Sequence, residues 1–394
     1  MSAPHPTEPP TGTPPVRVVL AGARGHGRWH LENVRRLEEA GRVRLVGVCE
    51  LTPLEAGELA GPPVAQSADF AALLESTGAE AAVVCTPIQA HAPMAVAAAE
   101  RGVHLLLEKP PAATLAEFTR IADAARGAGT ACQIGFQSLG SHAVAAVREL
   151  AGSGAIGAVT GVGAAGAWAR DEAYWSRAPW AGRRRLGSRD VVDGVLTNPL
   201  AHAVATALAL AGGERAEDVT DVRVELLRAN DIEADDTSCV RIRTAAGVPV
   251  VAALTLCAEQ PGEPYVVVHG ERGRITFWYK QDRVRLERAG HEAEETVHGR
   301  TDLLENLVAH LRQGADLLVP PERTGGFMRL LEAVRLAPAP RPLPASAVRV
   351  VHDGPAPRRV VPGVEALVAS SAQNLRLFSE TETPWSSPTA VGAP

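Results

Sequence analysis

One lysine in this sequence has the position that chemistry on an alcohol needs. Lys109 comes after the apolar run Val103–Leu107 and Glu108, and it precedes Pro110. Lysine occurs at only one other position, 280, and arginine takes the remaining basic positions, so this lysine is expected to be needed as a lysine. An ammonium group at the carboxyl end of a strand can stabilise negative charge that develops on an alcohol oxygen. The alternative is a surface lysine that precedes a rigid turn.

A histidine further along the chain offers complementary chemistry. His202 ends the run Asp193–His202, and Asn198 stands four residues before it. An imidazole in a closed site can exchange the carbinol proton while hydride leaves the carbon. The alternative is a core histidine with satisfied hydrogen bonds. Asn198 also has two interpretations: it bonds to a substrate, or it caps a helix whose first residue is Pro199.

The glycine-rich segment after the first apolar run predicts a dinucleotide site. Gly22 and Gly27 are spaced as the first and last glycines of the GxGxxG fingerprint, which lets the backbone turn tightly beside a pyrophosphate. Arg24 occupies the place of the middle glycine, and Gly25 can compensate by shifting the turn. Glu50, at the end of the second strand, suits a ribose 2′-hydroxyl and repels a 2′-phosphate, which favours NAD over NADP. The alternatives are an ordinary tight turn and a solvated carboxylate at a strand end.

The segment from Trp168 to Arg185 combines aromatic rings with arginine side chains. Aromatic faces pack on the C–H surfaces of a sugar ring, and guanidinium groups bind hydroxyl or carboxylate groups. This composition predicts a substrate-binding loop whose candidate contacts are Arg170, Tyr174, Trp175 and Trp180. The alternative is a packing loop at an oligomer interface, where tryptophan and arginine are equally suited.

The elements that would carry these residues follow a regular pattern in the first half of the chain. Apolar runs alternate with stretches of helical periodicity, which predicts a doubly wound parallel sheet. The predicted strands are Val16–Ala21, Val43–Val48, Ala81–Cys85, Val103–Leu107 and Thr130–Ile134. The predicted helices include His30–Ala40, Asp69–Ser76, His91–Arg101 and Leu115–Arg126.

After about residue 150 the strand candidates follow one another directly, as in a mostly antiparallel sheet. They are Ala158–Val162, Val219–Leu227, Thr237–Arg243, Val248–Leu256, Tyr265–Gly270 and Arg274–Tyr279. Helices are predicted over Pro199–Ala211, Asp302–Gln313 and Phe327–Leu336. The proline-rich remainder has one further helix around Val364–Leu377, and we expect it to wrap the surface or a partner subunit.

The predicted fold class is α/β plus α+β, with an N-terminal Rossmann doubly wound parallel sheet and a C-terminal mostly antiparallel sheet domain. We expect a disordered leader over residues 1–15, an NAD(P)-binding domain over 16–138, a substrate and oligomerisation domain over 139–338, and a proline-rich extension over 339–394. A single-layer sheet covered on one side leaves a broad apolar face. We therefore expect this face to form a homodimer or homotetramer.

Composition argues against several other classes of protein. The net charge is −6 and the sequence pI is about 6.1, with arginines scattered along the chain, so nucleic acid is not an expected partner. Five cysteines without a CxxC pair are typical of a reducing compartment. The sequence has no long uncharged apolar span, which predicts a soluble cytoplasmic protein without membrane contact. No metal site is predicted.

Further motifs give the chain a specific resemblance. They are Thr86-Pro87 with the downstream His91, Glu108-Lys109-Pro110, Gly154-Ala155-Ile156-Gly157 and His269-Gly270-Glu271-Arg272-Gly273. In this combination the chain resembles the Gfo/Idh/MocA oxidoreductases from about residue 16 to residue 336. The resemblance implies a nicotinamide-dependent enzyme of two domains, with its substrate specificity segment at the aromatic loop.

The resemblance also implies roles for the matching residues. Lys109 would lie beside the nicotinamide ribose and the reacting hydroxyl, with Glu108 orienting it or the cofactor. His202 matches the family's acid/base histidine, but Asn198 stands where the family usually has aspartate, so a carboxylate–imidazole pair is lost. The implied cofactor contacts are Gly22, Arg24, Gly25, His26, Gly27, Glu50, Thr86, Pro87, His91, Glu108, Lys109 and Gln137.

These observations predict an NAD(P)-dependent dehydrogenase or reductase that acts on a CH–OH group of a sugar, polyol or sugar-derived substrate. NAD is the expected cofactor. One alternative is a lyase or glycosidase that retains NAD and oxidises its substrate only transiently. The other is a non-catalytic dinucleotide-binding scaffold, which Arg24 and Asn198 favour and which Lys109 and His202 oppose.

Overall fold

A computed structural model describes residues 14–382 and residue 385, and these form two compact units. The first unit contains the chain up to residue 108 together with 121–133 and 302–318, and the second contains 109–120, 134–301 and the chain from 319 onward. Lys109 therefore counts with the second unit. Residues 1–13 of the predicted leader, and residues 383–384 and 386–394 of the predicted extension, lie outside the described residues.

The first unit is built on a six-stranded sheet. Its strands are β1 (Val16–Ala21), β2 (Val43–Cys49), β3 (Ala65–Ser67), β4 (Ala81–Val84), β5 (His104–Leu107) and β6 (Cys132–Ile134). They lie in the order β3-β2-β1-β4-β5-β6, and the pairs β1–β2, β1–β4, β2–β3 and β4–β5 are parallel. Every residue of β4 is buried, which explains its continuous apolar run. The predicted Rossmann sheet is confirmed.

The chain order reverses between β1 and β4, and this is the switch point where ligands bind in such sheets. The accompanying helices are α1 (Gly27–Glu39), α2 (Phe70–Thr77), α3 (His91–Ala99) and α4 (Leu115–Ala128). The glycine loop follows β1 directly, and Glu50 follows β2. The sequence pattern did not predict β3, because this strand has only three residues and none of them is buried.

The second unit contains a nine-stranded sheet and two short hairpins. Its strands are β7 (Val159–Ala167), β8 (Arg185–Leu186), β9 (Arg189–Asp190), β10 (Val219–Arg228), β11 (Thr237–Thr244), β12 (Pro249–Thr255), β13 (Tyr265–Gly270), β14 (Gly273–Trp278), β15 (Arg283–Arg288), β16 (Glu294–Val297), β17 (Arg341–Pro342), β18 (Arg349–Val351) and β19 (Arg358–Val360). The large sheet has the order β16-β15-β14-β13-β7-β12-β11-β10-β17, while β8–β9 and β18–β19 form the hairpins. Only β7–β12 and β10–β17 pair in parallel among the described strands of this sheet, so the predicted antiparallel character is confirmed.

The remaining helices are α5 (Ala143–Gly152), α6 (Glu172–Ser176), α7 (Ala201–Leu210), α8 (Leu303–Gln313), α9 (Gly325–Leu336) and α10 (Val364–Asn374). Helix α8 belongs to the first unit. On β7, Gly163 faces Ala372 of α10, whereas Gly166, three residues further on, faces Leu200 just before α7. Because side chains alternate along a strand, α7 and α10 lie on opposite faces of the sheet.

The sheet face that we expected to be open is covered by the chain itself. Helix α10 packs across β7 and β12, and its Leu367 and Val368 join a buried cluster with Val251 and Ala253 of β12. The expectation of an open apolar face is therefore wrong for these central strands, because the proline-rich extension supplies a second layer. That the protein forms a homo-oligomer stays a prediction, and the covered face of these strands no longer supports it.

Candidate functional site

In the first unit, the glycine loop is closed by contacts that only glycine allows. A Cβ on Gly27 would lie 1.7 Å from the carbonyl oxygen of Gly22, and a Cβ on Gly22 would lie 2.4 Å from the carbonyl oxygen of Cys85. Gly25 adopts a φ of +58°, so it supplies the left-handed turn that Arg24 cannot take cheaply. Helix α1 begins at Gly27 with no acidic side chain in its first turn. The loop therefore suits the negative charge of a pyrophosphate.

The carboxylate of Glu50 braces this loop from the end of β2. Its Oε1 accepts hydrogen bonds from the backbone N–H groups of Ala23 at 2.5 Å and Arg24 at 3.2 Å. The side chain is 15% exposed, so the interpretation of a solvated carboxylate is wrong. The Arg24 guanidinium binds Glu58 at 3.0 Å, which lowers the pKa of Glu58 and directs the arginine away from the middle of the loop.

The residues after β4 and β5 are also held firmly. The Nε2 atom of His91 lies 2.8 Å from the carbonyl oxygen of Thr86, so this histidine fixes the turn that contains Pro87. Glu108 is 4% exposed, and its Oε1 lies 2.9 Å from Nε2 of the buried His30. His30 was not among the predicted site residues, although it lies one helical turn beyond Gly27 on α1.

Three side chains of the first unit have the composition of a metal site. Ligand atoms of His26, His30 and Glu108 all lie within 4.8 Å of one another, and the chemistry of two imidazoles and one carboxylate suits a divalent ion. The His30–Glu108 hydrogen bond accounts for the cluster without a metal, and His26 Nε2 lies 3.9 Å from the same carboxylate oxygen. Glu108 is thereby fixed beside the start of α1.

In the second unit, Lys109 is held by the loop that precedes α7. Its Nζ donates to the side-chain Oδ1 of Asn198 at 2.7 Å and to the backbone oxygen of the same residue at 3.0 Å. The other end of the Asn198 amide, Nδ2, donates to Oδ1 of Asp193 at 2.6 Å. The structure thus joins two residues that the sequence predicted, and it adds a buried carboxylate that the prediction missed.

The interpretation of Asn198 as a helix cap is wrong. Helix α7 begins at Ala201, its cap position is Leu200, and no side chain bonds there. The predicted start at Pro199 was two residues early because the chain turns once more before the helix: the N–H of Leu200 bonds to the oxygen of Val195. The Asn198 side chain is therefore available for Lys109 and Asp193.

A tight turn under Asn198 explains why the loop has this form. The N–H of Asn198 bonds to the oxygen of Gly194 at 3.0 Å, and Val192 adopts a φ of +54°. A Cβ on Gly194 would lie 1.9 Å from Oδ1 of Asp235. Burial raises the pKa of Asp235 to about 6, against a hydrogen bond from Ser238 that favours its charged form. The loop is thus packed directly against a fully buried carboxyl group.

His202 lies on the first turn of α7 and bonds to a different set of groups. Its Nδ1 lies 3.3 Å from Oγ of Ser138, which in turn accepts a hydrogen bond from Thr206 at 3.0 Å. The edge of the Phe136 ring packs against the imidazole with a centroid distance of 5.7 Å. Gln137, a predicted cofactor contact, lies between these two neighbours in the chain, and its backbone oxygen accepts from Arg300 at 2.6 Å.

The predicted substrate loop is organised by its own arginines. The guanidinium of Arg170 lies 5.0 Å from the Trp168 ring centroid and 4.9 Å from that of Tyr174. The guanidinium of Arg177 lies 3.7 Å from the Tyr174 ring and 4.6 Å from the Trp180 ring. Faces that we expected to meet a sugar ring therefore carry cations of the same chain.

Two cavities adjoin this loop within the second unit. Trp175 lines a cavity of about 1080 Å³ together with Gly182, Arg228 and Arg335. Arg170 and Tyr174 line a cavity of about 460 Å³, and its opposite wall comes from the C-terminal extension through Asp353 and Arg358. The N–H of Glu172 bonds to the oxygen of Pro357 at 2.9 Å, so the extension is tied to the loop by its backbone as well.

Among the described residues, no helix combines the length and apolar character that crossing a membrane requires.

Comparison with known proteins finds similar sequences. Residues 16–136 match the model of an oxidoreductase family with an NAD-binding Rossmann fold, and residues 144–276 match the model of the GFO/IDH/MocA C-terminal domain. A 4-carboxy-2-hydroxymuconate-6-semialdehyde dehydrogenase from Sphingobium sp. is 28% identical over 122 residues, 30% of this chain and 38% of the relative. A scyllo-inositol 2-dehydrogenase (NAD(+)) from Bacillus subtilis is 32% identical over 85 residues, 22% of this chain and 25% of the relative. The matches span less than half the length of these curated relatives.

Solved structures with the same fold cover more of the chain. The WlbA dehydrogenase from Bordetella pertussis, solved in complex with NADH and UDP-GlcNAcA, matches with a TM-score of 0.66 and 22% sequence identity. The match covers 82% of this chain and 95% of that one. At this identity the likeness establishes the fold alone.

Proposed function

The chain belongs to the Gfo/Idh/MocA family of NAD-binding oxidoreductases, and on this premise we propose that it transfers hydride between NAD and a carbinol of a sugar, polyol or sugar-derived substrate. The observation that carries the proposal is the arrangement of Lys109. It follows a parallel strand at its carboxyl end, and Asn198 holds its ammonium group. A cation fixed in this way is suited to an oxygen on which negative charge develops.

The first unit supplies the groups of the proposed enzyme that would bind the pyrophosphate and the adenosine ribose of the cofactor. When bound, NAD accepts the hydride in the oxidation direction. The loop Gly22–Gly27 and the start of α1 would receive the pyrophosphate, and Glu50 would bind the adenosine ribose hydroxyls. The charge of Glu50 opposes a 2′-phosphate, so we expect NAD to bind better than NADP.

Lys109 and His202 would have different roles at the reacting hydroxyl: Lys109 would stabilise charge, and His202 would transfer the proton. The ammonium group of Lys109 would bind the carbinol oxygen and stabilise its developing charge. His202 would take the hydroxyl proton on its imidazole, and the contact between Nδ1 and the Ser138 hydroxyl would hold the ring in place. In the reduction direction the same imidazole would return the proton.

The aromatic loop supports a polar, sugar-like substrate. Arg170 and Tyr174 adjoin one cavity, and Trp175 adjoins the other. Trp180 packs against Arg177 instead of lining either cavity, so we expect it to support the loop and make no direct substrate contact. Arginine side chains at both cavities favour substrates with several hydroxyl groups or a carboxylate.

The decisive experiment is turnover on a panel of sugars, polyols and sugar acids with NAD, followed by NADH absorbance. Accumulating NADH supports a net dehydrogenase, whereas product formation with NAD retained on the protein favours the lyase or glycosidase alternative. Cofactor binding without turnover on any substrate would support a scaffold.

Once a substrate is known, alanine variants of Lys109 and His202 test the assignment. Each substitution is expected to lower turnover by about a hundredfold or more. Because both residues would act on one hydroxyl, the double variant should be little worse than the poorer single variant. Wild-type turnover in both single variants would contradict the proposed mechanism.

A further inference from the structure

We propose that Asp193 is a positioning residue for Lys109: it fixes the orientation of the Asn198 amide and, through that amide, supplies the negative charge that keeps the Lys109 ammonium group in place. This inference rests on the function proposed above, since that function gives Lys109 its task. Asn198 carries no charge, and Asp193 places a carboxylate one hydrogen bond further from Lys109.

The first argument is the direction of the hydrogen bonds. An ammonium group only donates and an ionised carboxylate only accepts. The amide between them therefore has one permitted orientation, with Oδ1 of Asn198 toward Lys109 and Nδ2 toward Asp193. The opposite orientation would place an NH₂ group against the ammonium and an oxygen against the carboxylate. Removal of the carboxylate removes one of the two groups that fix this orientation.

The second argument is the burial of Asp193. The residue is 3% exposed, and a carboxylate without partners at such a position would be costly. Oδ2 accepts from the Gly182 N–H at 2.8 Å and from Arg177 at 3.3 Å, while Oδ1 accepts from Asn198. All three partners are N–H donors, so both oxygens of the Asp193 carboxylate act as acceptors, and this carboxylate stands one amide away from Lys109.

The third argument is the link from this carboxylate to the predicted substrate loop. The Arg177 guanidinium bonds to Asp193 and packs on the rings of Tyr174 and Trp180. A substrate that displaces these rings would change the position of Arg177, and with it the charge balance at Asp193. The chain of contacts thus runs from the loop, through Asp193 and Asn198, to Lys109.

Other charged groups near this chain of contacts are the same in all the variants of the test. Asp235 packs behind Gly194, next to Asp193 in sequence, and Arg177 partly neutralises Asp193 from the loop side. Glu108 precedes Lys109 in the chain. None of these is altered in the variants below, so a change in the behaviour of Lys109 reports on Asp193 and Asn198.

The test uses the scarcity of lysine and needs neither NAD nor substrate. The full chain is treated with an amine-acetylating reagent across a pH series, and the fraction modified at each lysine is measured by mass spectrometry. Lys280 serves as internal control, since it is 48% exposed and pairs with Glu263, far from Asp193 in sequence and bonded to none of its partners. The readout is the midpoint of the curve of Lys109 labelling against pH.

For Asp193→Asn we expect the Lys109 midpoint to move to lower pH by about one unit, because a nearby negative charge that stabilises the ammonium form is lost. The Lys280 midpoint should not move. The exchange variant Asp193→Asn/Asn198→Asp puts the carboxylate directly beside Lys109 and should return the midpoint to the wild-type value or above it. Asp190→Asn, which removes a carboxylate bound to Arg335 in the same segment, is the matched control and should leave the midpoint unchanged.

Turnover supplies a second readout once a substrate is known. Asp193→Asn should lower kcat by about tenfold or more with a smaller effect on KM, and the exchange variant should recover most of this loss. If Asp193→Asn does not fold, Asn198→Ala breaks the connection while Asp193 keeps Arg177 and Gly182, and it should shift the midpoint in the same direction.

An unchanged midpoint in Asp193→Asn, or in Asn198→Ala where that variant replaces it, would overturn the proposal. An exchange variant that fails to restore the midpoint would overturn it as well. Because the labelling curve is recorded without cofactor or substrate, either result is distinguishable from failure of the proposed dehydrogenase activity.

Discussion

At the scale of single residues, the Glu50 carboxylate has two tasks that can be separated by experiment. It braces the glycine loop through Ala23 and Arg24, and its charge would discriminate against a 2′-phosphate. Glu50→Gln keeps an acceptor oxygen for the loop and removes the charge, so we expect it to narrow the preference for NAD over NADP with little loss of NAD affinity. Glu50→Ala should narrow the preference and also weaken both cofactors. Calorimetric titration with each cofactor checks this. If the ratio of NAD affinity to NADP affinity stays unchanged in both variants, Glu50 does not determine the cofactor specificity.

Asp235 predicts a specific dependence of stability on pH. Burial raises its pKa from 3.8 to about 6 in the folded state. The folded protein thus holds this proton more tightly than the unfolded chain, and its stability falls as pH rises from about 4 to about 6. Asp235→Asn lacks this titration, so the free energy of unfolding of the variant minus that of wild type should rise over the same range by about 3 kcal/mol at most.

Urea unfolding at several pH values between 4 and 8 measures this difference. Asp231→Asn is the matched control, because its side chain is 95% exposed and pairs only weakly with Arg228. A difference between Asp235→Asn and wild type that stays constant with pH would show that the buried carboxyl does not titrate in this window.

Some site residues could be predicted from the sequence and others could not. Lys109 could be identified because it is one of two lysines and closely follows an apolar run. Asp193 could not be predicted as a site residue, because its contacts depend on a loop that brings Gly182 and Arg177 to it from more than ten residues away. Ser138 was missed for the same reason: its contact with His202 joins residues 64 positions apart. The spacing of residues along one helix or strand does not predict contacts with residues far away in the sequence.

At the scale of elements, the turn between β1 and α1 makes a steric prediction. The Cβ of Gly27→Ala would lie 1.7 Å from the Gly22 oxygen, so the turn must open and NAD binding should be lost together with several kcal/mol of stability. Gly41→Ala is the matched control, since it lies outside the glycine loop, nothing lies within 4 Å of its Cβ and only the φ of +68° is unfavourable, at about 1 kcal/mol. Thermal unfolding and NAD titration distinguish the two, and wild-type NAD affinity in Gly27→Ala would contradict the role given to this turn.

The accuracy of the predicted elements followed how strongly each one is buried. Strands β1 and β13 have the predicted bounds, because each contains a run of at least three consecutive buried apolar residues. Strands β15 and β16 were not predicted, since charged residues dominate both: β15 buries only Val284 and Leu286, β16 buries no residue, and ion pairs such as Arg283–Glu295 cross between them. The start of α7 was misplaced because Asn198 and Pro199 have the local pattern of a cap, while the loop bonds to Lys109 and Asp193 decide the backbone.

At the scale of the whole molecule, the C-terminal extension predicts the effect of truncation. Helix α10 and the following turn bury Leu367, Val368, Leu377 and Phe378 against the sheet, and side chains of this size contribute about 1.5–3 kcal/mol each when buried. A chain that ends after Pro340 would expose the strands beneath. We expect this variant to self-associate and to bind a hydrophobic dye, as measured by light scattering and fluorescence.

A chain that ends after Trp385 is the control, because it keeps α10 and the Trp385 oxygen that Arg341 binds. It should have the same oligomeric state as the full chain by light scattering, and it should bind the same amount of hydrophobic dye. Truncation after Pro340 without change in either property would mean that the extension is not needed to cover the sheet.

The close approach of α10 to β7 also has a consequence for ancestry. A Cβ on Gly163 would lie 2.1 Å from the Ala372 oxygen, and a Cβ on Gly161 would lie 2.3 Å from Leu375. At position 163 a side chain and a helix docked this closely exclude each other, because the nearest atom is a backbone oxygen, whereas the Leu375 side chain opposite Gly161 can move aside. We therefore expect related chains that carry a helix at this distance from β7 to have glycine at the position of Gly163. A related chain with the helix equally close and a larger residue at this position would contradict this expectation.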